Sequence, residues 1–112
     1  MVNVTPPNKS GQVLIGEIVH AMAQYPQGIV IKTDGTIQPF DYAAKKPTLK
    51  EMQAVVGGLI EIVRIPLVDF FMIVDEEGLL KEKEINWHGC TQYRGTTPIV
   101  GDAIFINRKL VD

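Results

Sequence analysis

The stretch Thr48-Leu49-Lys50-Glu51-Met52-Gln53-Ala54-Val55-Val56-Gly57-Gly58-Leu59-Ile60-Glu61-Ile62-Val63 decides the fold, because it reads as a capped helix, a glycine stop and a strand in succession. Thr48 followed three residues later by Glu51 is a capping box, in which the hydroxyl accepts an orphan backbone N–H and the carboxylate reaches back to the N-cap. Pro47 reinforces that boundary. Leu49, Met52, Val55 and Val56 recur at helical spacing and make one apolar stripe. Gly57 or Gly58 can take the left-handed conformation that closes a helix. Leu59 to Ile65 then becomes a β-branched run, as expected of a strand with both faces largely covered. The unit is a short helix laid on a sheet, and it names no reaction.

Upstream, residues 1–9 carry two prolines and two asparagines and read as an N-terminal arm, followed by one domain over residues 10–112. Ser10 is a candidate N-cap. Gln12 to Gln24 predicts a helix, with Leu14, Ile18, Ala21 and Tyr25 on one stripe and Glu17 and His20 on another face. Gly28 to Lys32 and Ile37 to Phe40 flank Asp34-Gly35, the dipeptide that favours positive φ at both central positions of a type I′ turn, so they should pair as a hairpin. Downstream, Phe70 to Val74 predicts a strand ended by Asp75-Glu76-Glu77-Gly78, after which Leu79 and Leu80 should return to the core. A third helix is expected over Glu84 to about Tyr93, and a last strand over Ala103 to Asn107. The order α-β-β-α-β-β-α-β predicts a single α+β domain: a mainly antiparallel sheet of about five strands with two or three helices gathered to one side.

A chain of 112 residues is one ordinary domain that needs no disulfide, and its single Cys90 cannot form an internal bridge. No secretory leader is evident and the apolar runs are too short to span a bilayer, so a cytoplasmic location without membrane partners is expected. A formal charge of −2 with both signs interspersed argues against nucleic acid as a partner. That reading would change only if Lys45, Lys46, Lys50, Arg64, Arg94, Arg108 and Lys109 gathered on one face. One cysteine and two histidines fall short of the usual zinc ligand sets, so neither a metal nor another cofactor is expected.

Four features together resemble a known family: Val56 to Val63, the acidic turn Asp75 to Leu80, the isolated Asn86, and Ile99-Val100-Gly101-Asp102-Ala103. This is the small family called domain of unknown function 3846, and the resemblance covers about residues 28–106. It implies no settled activity; its members look like products of phages and other mobile elements. Residues 1–26 look like an addition to the usual core, and residues 87–97 hold Trp, His, Gly and Cys where a plainer alanine-rich helix is usual.

The candidate ligand-binding residues are Glu61, Trp87, His88, Tyr93 and Asp102. A Glu61 carboxylate on a buried strand face would need a partner or a raised pKa, and could accept hydrogen bonds from a ligand. Against this, it could simply point off an edge strand. Trp87 beside His88 suits stacking of a flat ligand, although core packing also explains a tryptophan. Gly101-Asp102 reads first as a turn and second as a backbone niche beside an acid, and Gly57-Gly58 first as a helix stop and second as a close approach to a ligand. Asp34, Gly35, Thr48, Glu51, Gly57, Gly58 and Gly101 are thus assigned to turns and caps. His88 and Cys90 could cooperate only on an extended segment and only with an orienting partner, which puts a cysteine enzyme third.

The leading expectation is a non-enzymatic binding protein of phage or mobile-element origin that sequesters a small host molecule such as a nucleotide-derived defence signal. Inhibition of a host protein through a flat surface or a strand edge is the alternative. A concave polar-aromatic site would favour the first. Homo-oligomerisation is expected in either case, because strands at Leu59 to Ile65 and Phe70 to Val74 would need their edges covered.

Overall fold

In the computed structural model, residues 15–65, 68–86 and 99–111 are described. The elements are α1 (Ile15–Gln24), β1 (Ile29–Ile31), β2 (Ile37–Pro39), α2 (Leu49–Val56), β3 (Ile60–Arg64), β4 (Phe70–Asp75), β5 (Ala103–Asn107) and a closing 3-10 turn, Arg108–Leu110. The five strands form one antiparallel sheet in the order β2-β1-β5-β4-β3, an α+β domain as expected.

Strand alternation sorts the side chains into two cores. On one face, Ile29, Ile31, Val63, Phe70, Met72, Val74, Ala103 and Phe105 pack with Ile18 and Ala21 of α1. On the other, Val30, Ile73, Ile104 and Ile106 pack with Met52 and Val56 of α2. The two helices therefore lie on opposite faces rather than gathered to one side. The cause is β4 and β5, whose side chains are buried almost throughout and need a cover on each face. Phe70 and Phe71 divide accordingly. Phe70 meets Phe105 edge-on at 6.0 Å, and Phe71 lies on the opposite face beneath the Arg64 and Arg108 guanidinium groups, 5.5 and 5.9 Å from its ring centre.

Local signals produced local structure. Thr48 accepts from the Glu51 amide at 3.1 Å and Glu51 accepts from the Thr48 amide at 2.8 Å, and Gly57 ends the helix at φ +86°. The backbone hydrogen bond from Thr48 holds the Glu51 carboxyl below its usual range. The β1–β2 hairpin forms, but its turn is not type I′. Gly35 donates to Lys32 and has φ +90°, whereas Asp34 keeps negative φ. Five residues separate the paired Ile31 and Ile37, which fits a type I turn followed by a left-handed glycine. Asp34 stabilises it by accepting from the Thr36 amide at 2.8 Å.

Four other expectations are corrected. β3 is an edge strand, so Glu61 and Ile62 are exposed instead of covered on both faces. Leu49, in the first turn of α2, is exposed because this eight-residue helix reaches the core through Met52 and Val56. Leu79 and Leu80 are exposed at 53% and 83%, since their turn instead brings lysines inward. No helix starts at Glu84: Ile85 bridges Val100 in antiparallel fashion and the Asn86 amide donates to the Ile99 carbonyl, while positions 87–93 lie outside the described residues. Residues 1–14, with Ser10 and Leu14, lie outside them too.

Replacing Thr48 with alanine removes the acceptor for one α2 amide and should cost about 1 kcal/mol. Urea unfolding should show this as a lower midpoint at unchanged slope.

Candidate functional site

Among the described residues, Asp75 and Asn86 are the buried polar side chains, and each has a structural task. Asp75 ends β4. Its Oδ2 accepts from Lys83 Nζ at 2.7 Å and Lys81 Nζ at 3.0 Å, and its Oδ1 accepts from the Glu77 amide at 2.8 Å. Burial alone would raise its pKa, but the bonds from Lys83, the Glu77 amide and Lys81 outweigh that and lower it to about 2. The same ammonium groups donate to the last carbonyls of α2: Lys83 to Val56 at 2.6 Å and Lys81 to Gly57 at 3.1 Å. They supply the positive charge that the final turn of α2 lacks. A Cβ on Gly58 would collide with Lys81 Nζ and stand 3.0 Å from Asp75 Oδ1. A side chain at Gly58 would displace the Lys81 ammonium group and crowd Asp75, and the positive φ of Gly57 makes the helix stop.

Asn86 donates from Nδ2 to the Ile31 and Gly101 carbonyls at 3.0 and 2.9 Å, while its amide donates to Ile99 at 2.7 Å. It ties the end of β1 to the approach to β5, and it makes positions 86 and 99 neighbours. Gly101 turns at φ +77°. Asp102 then accepts from the Thr33 amide at 3.3 Å and faces Lys32 Nζ at 3.8 Å, which ties down the hairpin turn.

Glu61 and Asp102 do not converge. Glu61 is exposed on β3, and β4 lies between that strand and β5, which Asp102 precedes. Trp87, His88 and Tyr93, like Cys90, lie outside the described residues. No group of three His, Cys, Asp or Glu side chains converges among the described residues. Of the basic residues considered as a nucleic-acid face, Arg64 and Arg108 each approach the Phe71 ring.

The concave surface lies elsewhere. A cleft of ≈ 480 Å³ runs between α1 and the start of β2, lined by Glu17, His20, Ala21, Gln24, Tyr25 and Ile37, with Gly16 at its rim. Glu17, His20 and Gln24 follow i, i+3, i+7 spacing and so share one helix face. Ala21 and Ile37 give it an apolar floor. Tyr25, half-buried against the α1-side core, supplies a flat wall. An added Cβ at Gly16 would meet nothing within 4 Å among the described residues. The lining carries imidazole, amide and phenol groups beside the Glu17 carboxylate and an aliphatic floor, a set with hydrogen-bonding and stacking capacity. A second cleft, ≈ 420 Å³, is bounded by Phe40, Asp41, Tyr42 and Lys45. Tyr42 there is committed to structure: its hydroxyl donates to the Gln27 carbonyl at 2.8 Å, and burial followed by the nearby Glu51 charge raises its pKa.

Sequence reasoning missed this cleft, although it had placed Glu17 and His20 off the apolar stripe. The polar spacing along α1 was the available signal; the position of β2 beside it was not.

Residues 26–109 match the profile of the family described as domain of unknown function (DUF3846). The chain belongs to that family. The match spans β1 to the closing turn and includes Asp75, Lys81, Lys83 and Asn86, so the anchoring groups lie inside the family region. All of α1 lies outside it, and with it every residue of the α1–β2 cleft except Ile37. No curated protein and no solved structure matches the chain. No helix among the described residues is long and apolar enough to cross a membrane.

Asp75 gives a signed pH prediction. Its folded pKa is depressed from 3.8 to about 2, so its contribution is present above pH 4 and is lost as the pH falls toward 2. That contribution is about 2–3 kcal/mol. Asp75→Asn should lower the urea midpoint at pH 7 and flatten its dependence between pH 4 and pH 2. Asn86→Ala should cost about 2 kcal/mol by leaving the Ile31 and Gly101 carbonyls without their donor.

Proposed function

We propose that this chain is a non-enzymatic binding module that captures a small, flat, polar molecule in the α1–β2 cleft. The supporting observation is the cleft itself: concave, polar and aromatic, and within the ordinary size range of small-molecule sites. In this reading Tyr25 stacks on the ligand, His20 and Gln24 hydrogen-bond its edge, and Ala21 and Ile37 form the floor. A nucleotide-derived signal fits those groups. Its capture during a host defence response, by a protein of phage or mobile-element origin in the host cytoplasm, is the setting that the family resemblance suggests. Because α1 lies outside the family match, the ligand is a property of this chain more than of its family.

A second reading is favoured by one observation. Leu79 and Leu80 are adjacent, exposed, and carried on the turn that Lys81 and Lys83 pin in place. A rigid apolar tip of this kind suits contact with another protein, and inhibition of a host protein would use it.

Native mass spectrometry of the chain after incubation with a panel of nucleotides and cyclic dinucleotides, and separately with cell lysate, tests the two readings. One small adduct per chain, weakened at least tenfold by His20→Ala with Gln24→Ala and unaffected by Leu80→Ser, is the result expected. A protein-sized adduct lost in Leu80→Ser would instead support the second reading, and an adduct indifferent to the cleft variants would exclude the first.

A further inference from the structure

The sheet stops at β3, whose outer side has no strand against it among the described residues. The Glu76 amide donates to the Leu59 carbonyl at 2.8 Å, and this bond sets the parity of the β3–β4 ladder. Leu59, Glu61 and Val63 turn their backbone groups toward β4, so Ile60, Ile62 and Arg64 turn theirs outward. Two large aliphatic side chains stand half exposed along the same edge, Leu59 at 52% and Ile62 at 45%. The opposite edge of the sheet is less suited to pairing: β2 has three residues, and one of them is Pro39, which has no N–H.

We propose that β3 pairs antiparallel with β3 of a second copy about a two-fold axis at Ile62, making one continuous ten-stranded sheet. A two-fold axis normal to the sheet keeps every residue on its own face, so allowed registers differ by two residues. Centred on Ile62, the register sets Ile62 against Ile62 and Ile60 against Arg64, so all three outward-facing residues form hydrogen-bonded pairs. It also sets Leu59 against Ile65 and Glu61 against Val63. Both exposed aliphatics gain aliphatic partners, and no charge faces its like.

The neighbouring registers lack these properties. An axis at Glu61 opposes two carboxylates. An axis at Val63 sets Ile62 against Arg64 and Ile60 against Pro66, which has no N–H to give. The edge is thus complementary to its own sequence read in reverse, which identifies a second copy as the occupant. One cost remains: the two Glu61 side chains lie on a diagonal, about 7–8 Å apart. Salt screens that repulsion, so the dimer should tighten as ionic strength rises. The surface is separate from the α1–β2 cleft, and the inference stands apart from the ligand proposal.

Sedimentation equilibrium on the full chain, from micromolar to millimolar, should show a monomer–dimer equilibrium that Glu61→Gln strengthens and Ile62→Lys weakens at least tenfold. Ile62 is exposed enough for the latter variant to keep its fold, which circular dichroism verifies. In a Cys90→Ser background, Ile62→Cys should give a disulfide-linked dimer on oxidation, because a hydrogen-bonded antiparallel pair has its Cα atoms about 5.5 Å apart. Arg64→Cys should not, since four residues of strand separate its two copies by about 13–14 Å. A chain monomeric to millimolar concentration, a dimer indifferent to Ile62→Lys, or crosslinking at position 64 in preference to 62 would overturn the proposal.

Discussion

The pairing of β4 with β5 is the constraint on which the architecture depends. Both strands are apolar on both faces, and together they run from Phe70 beside Asn107 to Ile73 beside Ile104. A strand pair of that kind is stable only when each face is covered. One helix cannot wrap both, so α1 and α2 are divided between the faces, and each needs only a short apolar stripe. Ile18 and Ala21 suffice on one side, Met52 and Val56 on the other.

The connections carry the polar requirements of this arrangement. A helix of eight residues leaves much of its backbone at its ends, and α2 is capped from both: by its own Thr48 and Glu51 at the start, and by Lys81 and Lys83 from a distant turn at the finish. Burying one carboxylate between two ammonium groups would be costly if any member were missing. Here every one is engaged, and the network binds the end of β4, the end of α2 and the 76–83 turn into one piece. Asn86 does the corresponding work between β1 and β5 with an uncharged group.

What could be read from the sequence divides along the same line. The capping box, the Gly57 stop, the hairpin at Asp34-Gly35 and the strands at Phe70 and Ala103 depend on neighbours a few residues away, and they formed where expected. Apart from the turn type at Asp34-Gly35 and the exposure of Leu49, the errors depended on distant partners. Ile60-Glu61-Ile62-Val63 looks like an interior strand until β5 is seen to take the central place and leave β3 at the edge. Leu79 and Leu80 look like a return to the core until the lysines beyond them are seen to have the stronger claim on the turn. Glu61 and Asp102 were weighed as possible partners in a site, but strand order keeps them apart. The α1–β2 cleft was half visible, as polar spacing on a helix whose opposing wall comes from a hairpin. Asn86 stood out through family resemblance, and its two long-range carbonyl partners explain why an isolated asparagine belongs there.

The position of β5 also bears on how the molecule is made. The β1–β2 and β3–β4 hairpins are both synthesised before β5, yet within the sheet they are joined only through it, since it fills the gap between β1 and β4. On the ribosome, two half-sheets with open apolar faces must wait for the strand that joins them. The contacts of Ile29 with Phe105 and of Met72 with Phe105 span long separations in the chain, so assembly is a late closing event and not a gradual growth from the N-terminus. Loss of residues from β5 would therefore not trim an edge; it would divide the sheet in two.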